Sequence, residues 1–285
     1  MTATQQDRAR LRDRSRGRFD GMRDSVRAIG GALVAFSGGV DSTLVLAVAR
    51  EVLGDRAVGL TAHSPSVPGA ERAEARALAG RIGARHIVVE SHEVDDPRYR
   101  ENTPERCYFC KSELYRICDE TCARLGLGAV LDGFNADDRG DHRPGQRAAG
   151  EHRVISPLAD AGLTKDEVRA WSEAYGLPTW DKPQMACLAS RIPHGTPVTP
   201  ERLARIEAAE AGVRALGLRQ FRVRDHGLIG RVEVAAEEME RAFARRAEVA
   251  NAVRKAGFAL AALDLEPFRS GRLNEVDGVS PPAAP

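Results

Sequence analysis

The run Ser-Gly-Gly-Val-Asp-Ser at positions 37–42 has the residue types and the spacing of an anion-binding loop. It stands between two apolar runs, 32–36 and 43–49, an order typical of a buried strand, a tight turn and a helix. Glycine lets the backbone approach an anion, and the first N–H groups of the following helix have no partner within that helix. Two serine hydroxyls add donors, and the carboxylate can hold a metal ion. The sequence therefore predicts a phosphate-binding loop made of Ser37, Gly38, Gly39, Asp41 and Ser42.

The five cysteines are the second group of reactive side chains. Cys107 and Cys110 form a C-x-x-C motif at the start of a predicted helix, 107–125, where neighbouring cations and the helix dipole favour thiolates. On its own such a pair leaves zinc, iron–sulfur and redox chemistry open. Cys118 and Cys122 continue along the same helical face together with leucines, so we expect them to be core residues.

Cys187 stands apart from that helix, in the proline-rich stretch 181–200. Lys182, Ser190 and Arg191 lie close to it in the sequence. Reactive residues concentrate on loops that a rigid scaffold carries, whereas an inert cysteine is more common inside a helix or strand. We therefore expect Cys187 to be functional, and to complete any metal site that the C-x-x-C pair begins.

Strands that alternate with helices predict an α/β fold, a parallel sheet with helices on both faces. A polar helix at 4–29 precedes the strands 32–37, 57–62, 85–90, 129–134 and 153–158, and the accompanying helices are 42–53, 69–83, 107–125 and 164–175. Ligands of such sheets bind at the carboxyl edge of the strands. The loops expected at that edge are 37–42, 61–66, 91–110 and 132–138.

The C-terminal part of the chain shows a different order, which predicts a smaller α+β domain with an antiparallel strand pair. Its predicted elements are a helix at 200–216, strands at 219–225 and 229–235, a helix at 236–256 and a strand at 259–265. We expect five successive regions: an N-terminal helix (1–30), a nucleotide-binding domain (31–180), an active-site connector (181–200), the α+β domain (201–269) and a disordered tail (270–285).

Composition limits the classes of protein to consider. The 285 residues, 42% hydrophobic and 29% charged, are typical of a soluble globular protein. No apolar run is long enough to span a membrane, and the arginine-rich N-terminus does not resemble a secretory signal. An odd number of cysteines without such a signal favours free thiols in a reducing cytoplasm. A net charge of +1 argues against a nucleic-acid partner.

Positions 37–42 are similar to the signature of the PP-loop ATP pyrophosphatases, which cleave ATP to AMP and pyrophosphate. Over residues 20–268 the chain resembles the LarE family, ATP-dependent sulfur transferases of nickel-pincer nucleotide cofactor biosynthesis. Besides 37–42, the blocks that carry this resemblance are 101–102, 106–111, 132–138, 142–145, 156–158, 186–193, 221–226 and 231–234. The resemblance implies a fold like that of the adenine nucleotide alpha hydrolases and a homo-oligomer.

The resemblance also implies a reaction. ATP with Mg²⁺ would adenylate a carboxylate of a pyridinium dicarboxylate mononucleotide, and sulfur would then displace AMP to leave a thiocarboxylate. In one branch of the family the cysteine that matches Cys187 gives up its own sulfur and becomes dehydroalanine. In the other, three cysteines hold a [4Fe-4S] cluster that carries the transferred sulfide. Cys107, Cys110 and Cys187 match the second branch, which we prefer, and the first stays open.

Anion-binding side chains follow from the resemblance as well. We expect Arg191, Arg222 and Arg224, together with Ser190, to hold the substrate, since a guanidinium matches phosphate or carboxylate bidentately. The alternative for the two arginines of the predicted strand is a solvated, charged edge. Weaker candidates are Asp138 and Glu233 for Mg²⁺, and Tyr108 and Trp180 for stacking on the pyridinium ring, although Trp180 also suits packing.

Two other functions stay open at this point. A PP-loop tRNA thiolase also adenylates its substrate, but it needs a basic surface that tracks RNA. A nucleotide-binding module without catalytic activity would need the phosphate-binding loop, but this function would leave Cys187 without a role. Salt-sensitive tRNA binding would favour the first alternative, and pyrophosphate release on adding a carboxylated pyridinium nucleotide would exclude the second.

Overall fold

The structure is a computed structural model, and it describes residues 4–140, 144–183 and 186–269. Its helices are α1 (Gln5–Ile29), α2 (Val40–Leu53), α3 (Gly69–Ile82), α4 (Pro97–Arg100), α5 (Arg106–Arg124), α6 (Pro144–Glu151), α7 (Pro157–Asp160), α8 (Lys165–Ala174), α9 (Pro200–Ala215), α10 (Met239–Ala244) and α11 (Arg246–Lys255). Its strands are β1 (Ala32–Ala35), β2 (Ala57–His63), β3 (Arg85–Glu90), β4 (Ala129–Leu131), β5 (Phe221–His226), β6 (Ile229–Val234) and β7 (Leu260–Leu263). The tail that we expected to be disordered, 270–285, lies outside the described residues.

The chain forms two compact units. The first comprises Met1–Ser64, Gly69–Glu93 and Cys107–Met185, and the second comprises Pro65–Pro68, Val94–Arg106 and Ala186–Pro285. The second unit thus takes two short segments from within the N-terminal half of the chain. The division into five successive regions stays a prediction.

The sheet of the first unit has the strand order β3-β2-β1-β4, and every neighbouring pair is parallel. Successive residues of β1 face opposite sides: Val34 lies in a core with α2 and α8, and Leu33 packs with Cys118 and Cys122 of α5. The central strands β1 and β2 are therefore buried on both faces, as their continuous apolar runs require, whereas β3 is a partly exposed edge strand. This confirms the predicted α/β fold, with the carboxyl ends of all four strands at one edge.

Helix α1 attaches to the first unit through a narrow apolar face. Thr4 and Asp7 form a capping box at its start, and Gly30 ends it with φ of 75°. Phe19 stacks on Trp171 of α8 with ring centroids 3.9 Å apart, and Trp171 Nε1 donates to Ser15 Oγ at 2.9 Å. The remaining faces carry arginines in ion pairs with nearby carboxylates. Among the described helices, none is both long and apolar enough to cross a membrane.

Two predicted elements are wrong. The strand expected at 153–158 is reduced to a single bridge between Leu131 and Ile155, because Pro157 begins α7. Proline has no N–H for a strand ladder but fits the first turn of a helix. The helix expected at 236–256 is divided into α10 and α11 at Arg245, whose φ and ψ of −98° and 19° are not helical.

The second unit carries a small mixed sheet of order β5-β6-β7. Strands β5 and β6 form the predicted antiparallel pair, and β7 joins β6 in parallel. Gly227, with φ of 72°, lies in the turn between the first two strands. A Cβ on Gly230 would lie 2.5 Å from Val253 of α11, so glycine allows this helix to pack closely on β6.

Candidate functional site

The phosphate loop, residues 37–42, joins β1 to α2 at the carboxyl edge of the parallel sheet. Phe36 N–H donates to the Leu60 carbonyl at 2.8 Å and keeps the chain in the sheet up to the loop. Gly38 then turns it with φ of 72°, a conformation that side chains disfavour. A Cβ there would also lie 3.2 Å from Cβ of Ala75 in α3. The turn therefore requires glycine for both conformation and space.

The two serines of the phosphate loop bond to each other across the turn. Ser42 Oγ accepts from the Ser37 N–H at 3.2 Å and lies 3.0 Å from Ser37 Oγ. Gly39 is the N-cap of α2 and has no side chain that could occupy the start of the helix. The first N–H groups of α2 have no carbonyl within the helix to bond, so they can donate to an anion.

A second loop, residues 132–138, passes beside the first turn of α2. A Cβ on Gly133 would lie 2.8 Å from Ser42 N, so a larger residue would collide with the backbone at the start of α2. Asp132 anchors the loop by accepting from Tyr115 Oη at 3.0 Å and from Phe134 N–H at 3.1 Å. Burial raises the pKa of Asp132 above its ordinary value. Gly133 thus leaves the space beside the first turn of α2 free of a side chain, and we call this space the cradle.

Asp41 is the acidic residue of the phosphate loop, and two side chains hold it. Asn135 Nδ2 donates to its Oδ1 at 3.2 Å, and Lys165 Nζ forms an ion pair with its Oδ2. Lys165 is the first residue of α8, and its N–H donates to Asp137 Oδ2 at 2.8 Å. The carboxylate is therefore oriented at the mouth of the loop, where a divalent cation bound to a nucleotide would need it.

The end of β2 supports the same edge of the sheet. Thr61 Oγ1 donates to the carbonyl of Phe36 at 2.7 Å and lies 2.8 Å from His86 Nε2. Since the hydroxyl has a single proton, His86 Nε2–H must donate to it. Burial, together with the positive charge of Arg76, lowers the pKa of His86. The residue before the phosphate loop is thus held by a neutral hydrogen-bond chain.

The cysteines of α5 divide into two environments. Cys107 is exposed and Cys110 is half-buried, in the first turn of the helix. Cys118 and Cys122 are buried in the core beneath the sheet, as expected. Burial raises the pKa of Cys118 to about 12 and also raises that of Cys122. Of the four cysteines of α5, only Cys107 and Cys110 are therefore placed to react or to bind a metal.

Cys187 lies in the second unit, half-buried, at the start of a 3₁₀ turn over Leu188–Arg191. Arg191 is fully buried and holds this turn from within: its Nη1 donates to the carbonyls of Ala186 at 2.6 Å and Cys187 at 2.9 Å. Its Nε and Nη2 pair with Glu210 at 2.9 and 3.1 Å. Arg191 therefore positions the backbone around Cys187.

Arg222 and Arg224 share a face of β5, and both are buried rather than solvated. Arg224 pairs with Glu233 at 2.8 Å and donates to the Ser190 carbonyl at 2.9 Å. Arg222 donates to its neighbour's carbonyl and lies over the Phe268 ring at 4.8 Å, and among the described residues no carboxylate is within ion-pair distance of it. Burial and the nearby arginines lower its pKa to about 10. An anion would compensate this buried charge.

Comparison with known proteins agrees with this geometry. The profile of the asparagine synthase family matches residues 22–137. An uncharacterised protein of Synechocystis is 44% identical over 247 residues, which cover 86% of this chain and 92% of that protein. Pyridinium-3,5-bisthiocarboxylic acid mononucleotide synthase of Lactiplantibacillus plantarum is 37% identical over 243 residues, 85% of this chain and 88% of that enzyme. The chain belongs to the LarE family.

As a LarE protein it is an ATP-dependent sulfur-transferring enzyme with a PP-loop. A more partial similarity links it to tRNA-specific 2-thiouridylase of Rhodospirillum rubrum, 30% identical over 203 residues. That match covers 54% of this chain and 51% of the thiouridylase.

The residues predicted to bind metal in this LarE protein are divided between the units. Cys107 and Cys110 belong to the first unit and Cys187 to the second. Within 4–140, 144–183 and 186–269, no three His, Cys, Asp or Glu side chains come together as a metal site. The three thiols are nonetheless outside disulfides and at least partly accessible, and thiolates are the donors that iron–sulfur clusters use. The cluster therefore stays a prediction that suits the donor chemistry.

The weaker candidates for binding Mg²⁺ or stacking on the substrate ring all contact other side chains or backbone groups of the protein. Glu233 is fully buried and forms ion pairs with Arg224 and Arg231, which balance its charge, while its Oε1 accepts no hydrogen bond from the described residues. Asp138 accepts from Asn135 N–H at 3.0 Å. Two guanidinium groups cover the aromatic candidates: Arg147 lies 4.0 Å over the ring of Tyr108, and Arg8 lies 4.5 Å over that of Trp180.

The sequence pattern did not indicate the role of two residues that position the segment after Cys187, namely Asn102 and Arg106. Asn102, with φ of 56°, donates through Nδ2 to the carbonyls of Pro193 at 2.8 Å and Thr196 at 2.9 Å. Arg106 donates to the Ala189 carbonyl at 3.0 Å. Both fix the segment that follows Cys187. Their only signal in the sequence was their place in the blocks 101–102 and 106–111, because polar contacts over some ninety residues leave no periodic pattern.

Proposed function

We propose that this protein adenylates a carboxylate of a pyridinium dicarboxylate mononucleotide and replaces the adenylated oxygen with sulfur, in nickel-pincer nucleotide cofactor biosynthesis. The observation that carries the proposal is the phosphate loop and its cradle in a chain that is 37% identical to a pyridinium bisthiocarboxylate mononucleotide synthase. The site would work on a cytoplasmic substrate, where reducing conditions keep thiols free.

The first step joins the carboxylate to AMP. A carboxylate oxygen of the substrate attacks the α-phosphorus of ATP, and pyrophosphate leaves. The serine hydroxyls of the phosphate loop and the first N–H groups of α2 bind the phosphates, and Asp41 ligates the Mg²⁺ that accompanies ATP. The acyl-adenylate is reactive because AMP is a far better leaving group than oxide.

The substrate anion requires a cation near Cys187. We assign Arg222 as the direct ligand of its phosphate or free carboxylate, since this guanidinium is buried with its charge uncompensated by an ion pair in the described residues. Arg191 and Arg224 bond to the backbone of Cys187 and Ser190. In this proposal they support the turn, and Ser190 contributes its hydroxyl.

The second step forms the carbon–sulfur bond. A sulfur nucleophile attacks the acyl carbon, and AMP leaves with the bonding electrons. We propose that Cys107, Cys110 and Cys187 hold a [4Fe-4S] cluster, which when bound would supply the sulfur atom. In the alternative, the Cys187 thiolate attacks, and loss of its α-proton with cleavage of its Cβ–S bond leaves dehydroalanine.

Anaerobic purification followed by iron and sulfide analysis and intact-mass measurement after turnover distinguishes the two sulfur sources. The cluster predicts iron that is lost in Cys107→Ala and kept in the matched core variant Cys122→Ala, and an unchanged protein mass. A protein without iron that loses the mass of H₂S from Cys187 would exclude the cluster and establish sacrifice. Absence of AMP and pyrophosphate when ATP and the dicarboxylate nucleotide are supplied would overturn the proposed function itself.

A further inference from the structure

The phosphate loop has no cation of its own. Its residues are Ser, Gly, Gly, Val, Asp and Ser, so its only charged side chain is negative. ATP and the departing pyrophosphate each carry several negative charges, and enzymes that transfer phosphoryl groups neutralise them with lysine, arginine or metal ions. This positive charge must therefore come from residues outside the loop or from a metal ion.

Two ammonium groups reach the phosphate loop, one at each end. Lys165 Nζ forms an ion pair with Asp41. Lys182 Nζ lies 3.3 Å from the Gly38 carbonyl and 2.8 Å from Glu74 Oε2 of α3. Neither lysine is deeply buried, with side-chain exposures of 28% and 18%. Both ammonium groups can therefore exchange a protein carboxylate for a phosphate without a large desolvation cost.

Helix α8 positions both lysines. Thr164 caps its start with a capping box, which fixes the backbone at Lys165. One turn later Arg169 donates to the carbonyls of Trp180 at 2.8 Å and Lys182 at 2.9 Å. The buried residues Val168 and Trp171 hold the helix in the core. A single rigid element thus places two cations at the loop, although they lie 124 and 144 residues from the loop residues that they contact.

We propose that Lys165 and Lys182 form a clamp for the β- and γ-phosphates of ATP, the part of the nucleotide that leaves as pyrophosphate. When ATP binds with Mg²⁺, the Asp41 carboxylate would ligate the metal ion, and Lys165 would move from Asp41 to a phosphate oxygen. Lys182 moves in the same way from Glu74. A lysine suits this exchange because it is a point charge on a flexible stem of four carbons. The assignment rests on the proposed cleavage of ATP between its α- and β-phosphates.

The clamp predicts selective loss of affinity, which calorimetry can measure with ATP–Mg²⁺, pyrophosphate–Mg²⁺ and AMP as separate ligands. In Lys165→Met and Lys182→Met we expect ATP and pyrophosphate to bind roughly ten- to a hundredfold more weakly, as for a lost hydrogen bond to a charged group. AMP lacks the clamped phosphates, so its affinity should change less than about twofold. Lys182→Arg should restore much of the ATP affinity, and the exposed Lys255→Met is the matched control.

Unchanged ATP affinity in both methionine variants would overturn the clamp, and so would an equal loss for AMP, which indicates a damaged loop instead. These binding ratios do not depend on turnover. If the unaltered protein binds ATP but releases no pyrophosphate with the dicarboxylate nucleotide, the proposed function fails, and the ATP-to-AMP ratio in the variants still decides the clamp.

Discussion

Three buried arginines of the second unit show how environment gives one residue type different roles. Arg191 is paired with Glu210 and Arg224 with Glu233, and both also donate to carbonyls of the turn that carries Cys187 and its neighbours. Arg222 has a comparable burial but no such pair among the described residues. A buried ion pair loses much when one partner is removed, whereas an unpaired buried cation already carries its desolvation cost.

Arginine-to-methionine variants separate these roles. Arg191→Met leaves Glu210 buried without its cation, so the free energy of unfolding should fall by about 3–5 kcal/mol. Arg222→Met removes an uncompensated charge, so stability should stay the same or rise, while affinity for a phosphate monoester falls. Urea unfolding and phosphate binding measure the two effects. Equal destabilisation by both variants would show that Arg222 is a structural residue and not an anion ligand.

At the scale of elements, α5 divides its thiols along its length. In its first two turns Cys107 is exposed and Cys110 is half-buried, whereas in its later turns Cys118 and Cys122 are buried between the helix and the sheet. The helical period of 3.6 residues keeps the four cysteines near one face of α5. What differs along the helix is how deeply each cysteine is buried. Burial raises the pKa of the inner thiols, which makes their reactive thiolate form scarce.

Thiol alkylation of the metal-free protein tests this division. With iodoacetamide at a pH of about 8, Cys107 should be modified first, and Cys118 and Cys122 should react only when the protein unfolds. Peptide mass spectrometry after timed quenching gives each rate, and the denatured protein supplies the matched reference. Rapid labelling of Cys118 under native conditions would mean that α5 separates from the sheet more readily than its packing indicates.

At the scale of the whole molecule, the balance of charge bears on the partner. The chain contains 42 Lys and Arg residues and 41 Asp and Glu residues. Many of the arginines are already in ion pairs, including those of α1 with nearby acidic residues. The near balance of the two charges gives no excess of positive charge to follow a phosphate backbone, although a tRNA thiouridylase shares part of the sequence.

Binding of tRNA should accordingly be weak. A protein that neutralises several phosphates loses affinity steeply as salt rises from about 50 to about 200 mM. For this protein we expect neither tight binding at the lower concentration nor a steep dependence on salt in a filter-binding assay. The unrelated negative control is double-stranded DNA of similar length. Tight, salt-sensitive and tRNA-selective binding would instead support the thiolase alternative.

The sequence by itself determined the parts whose signal is local. The apolar runs on either side of 37–42 and the glycines at the turn predict a strand, a loop and a helix, and the structure has all three. Alternating strands and helices predict the parallel sheet, because strands buried on both faces need continuous apolar runs. The C-x-x-C pair and Cys187 stand out for the same local reason, since their neighbours set them apart from core cysteines.

Only the tertiary structure decided which charged side chains act on which loop. Arg191, predicted as a substrate ligand, is surrounded by carbonyls and Glu210, and Lys165 meets Asp41 across 124 residues of chain. The short segments 65–68 and 94–106 join the second unit although they lie within the predicted first domain. Such pairings depend on which backbone groups the fold brings within hydrogen-bond distance. Contacts of this kind leave no periodic or compositional signal in the sequence, so only the tertiary structure reveals them.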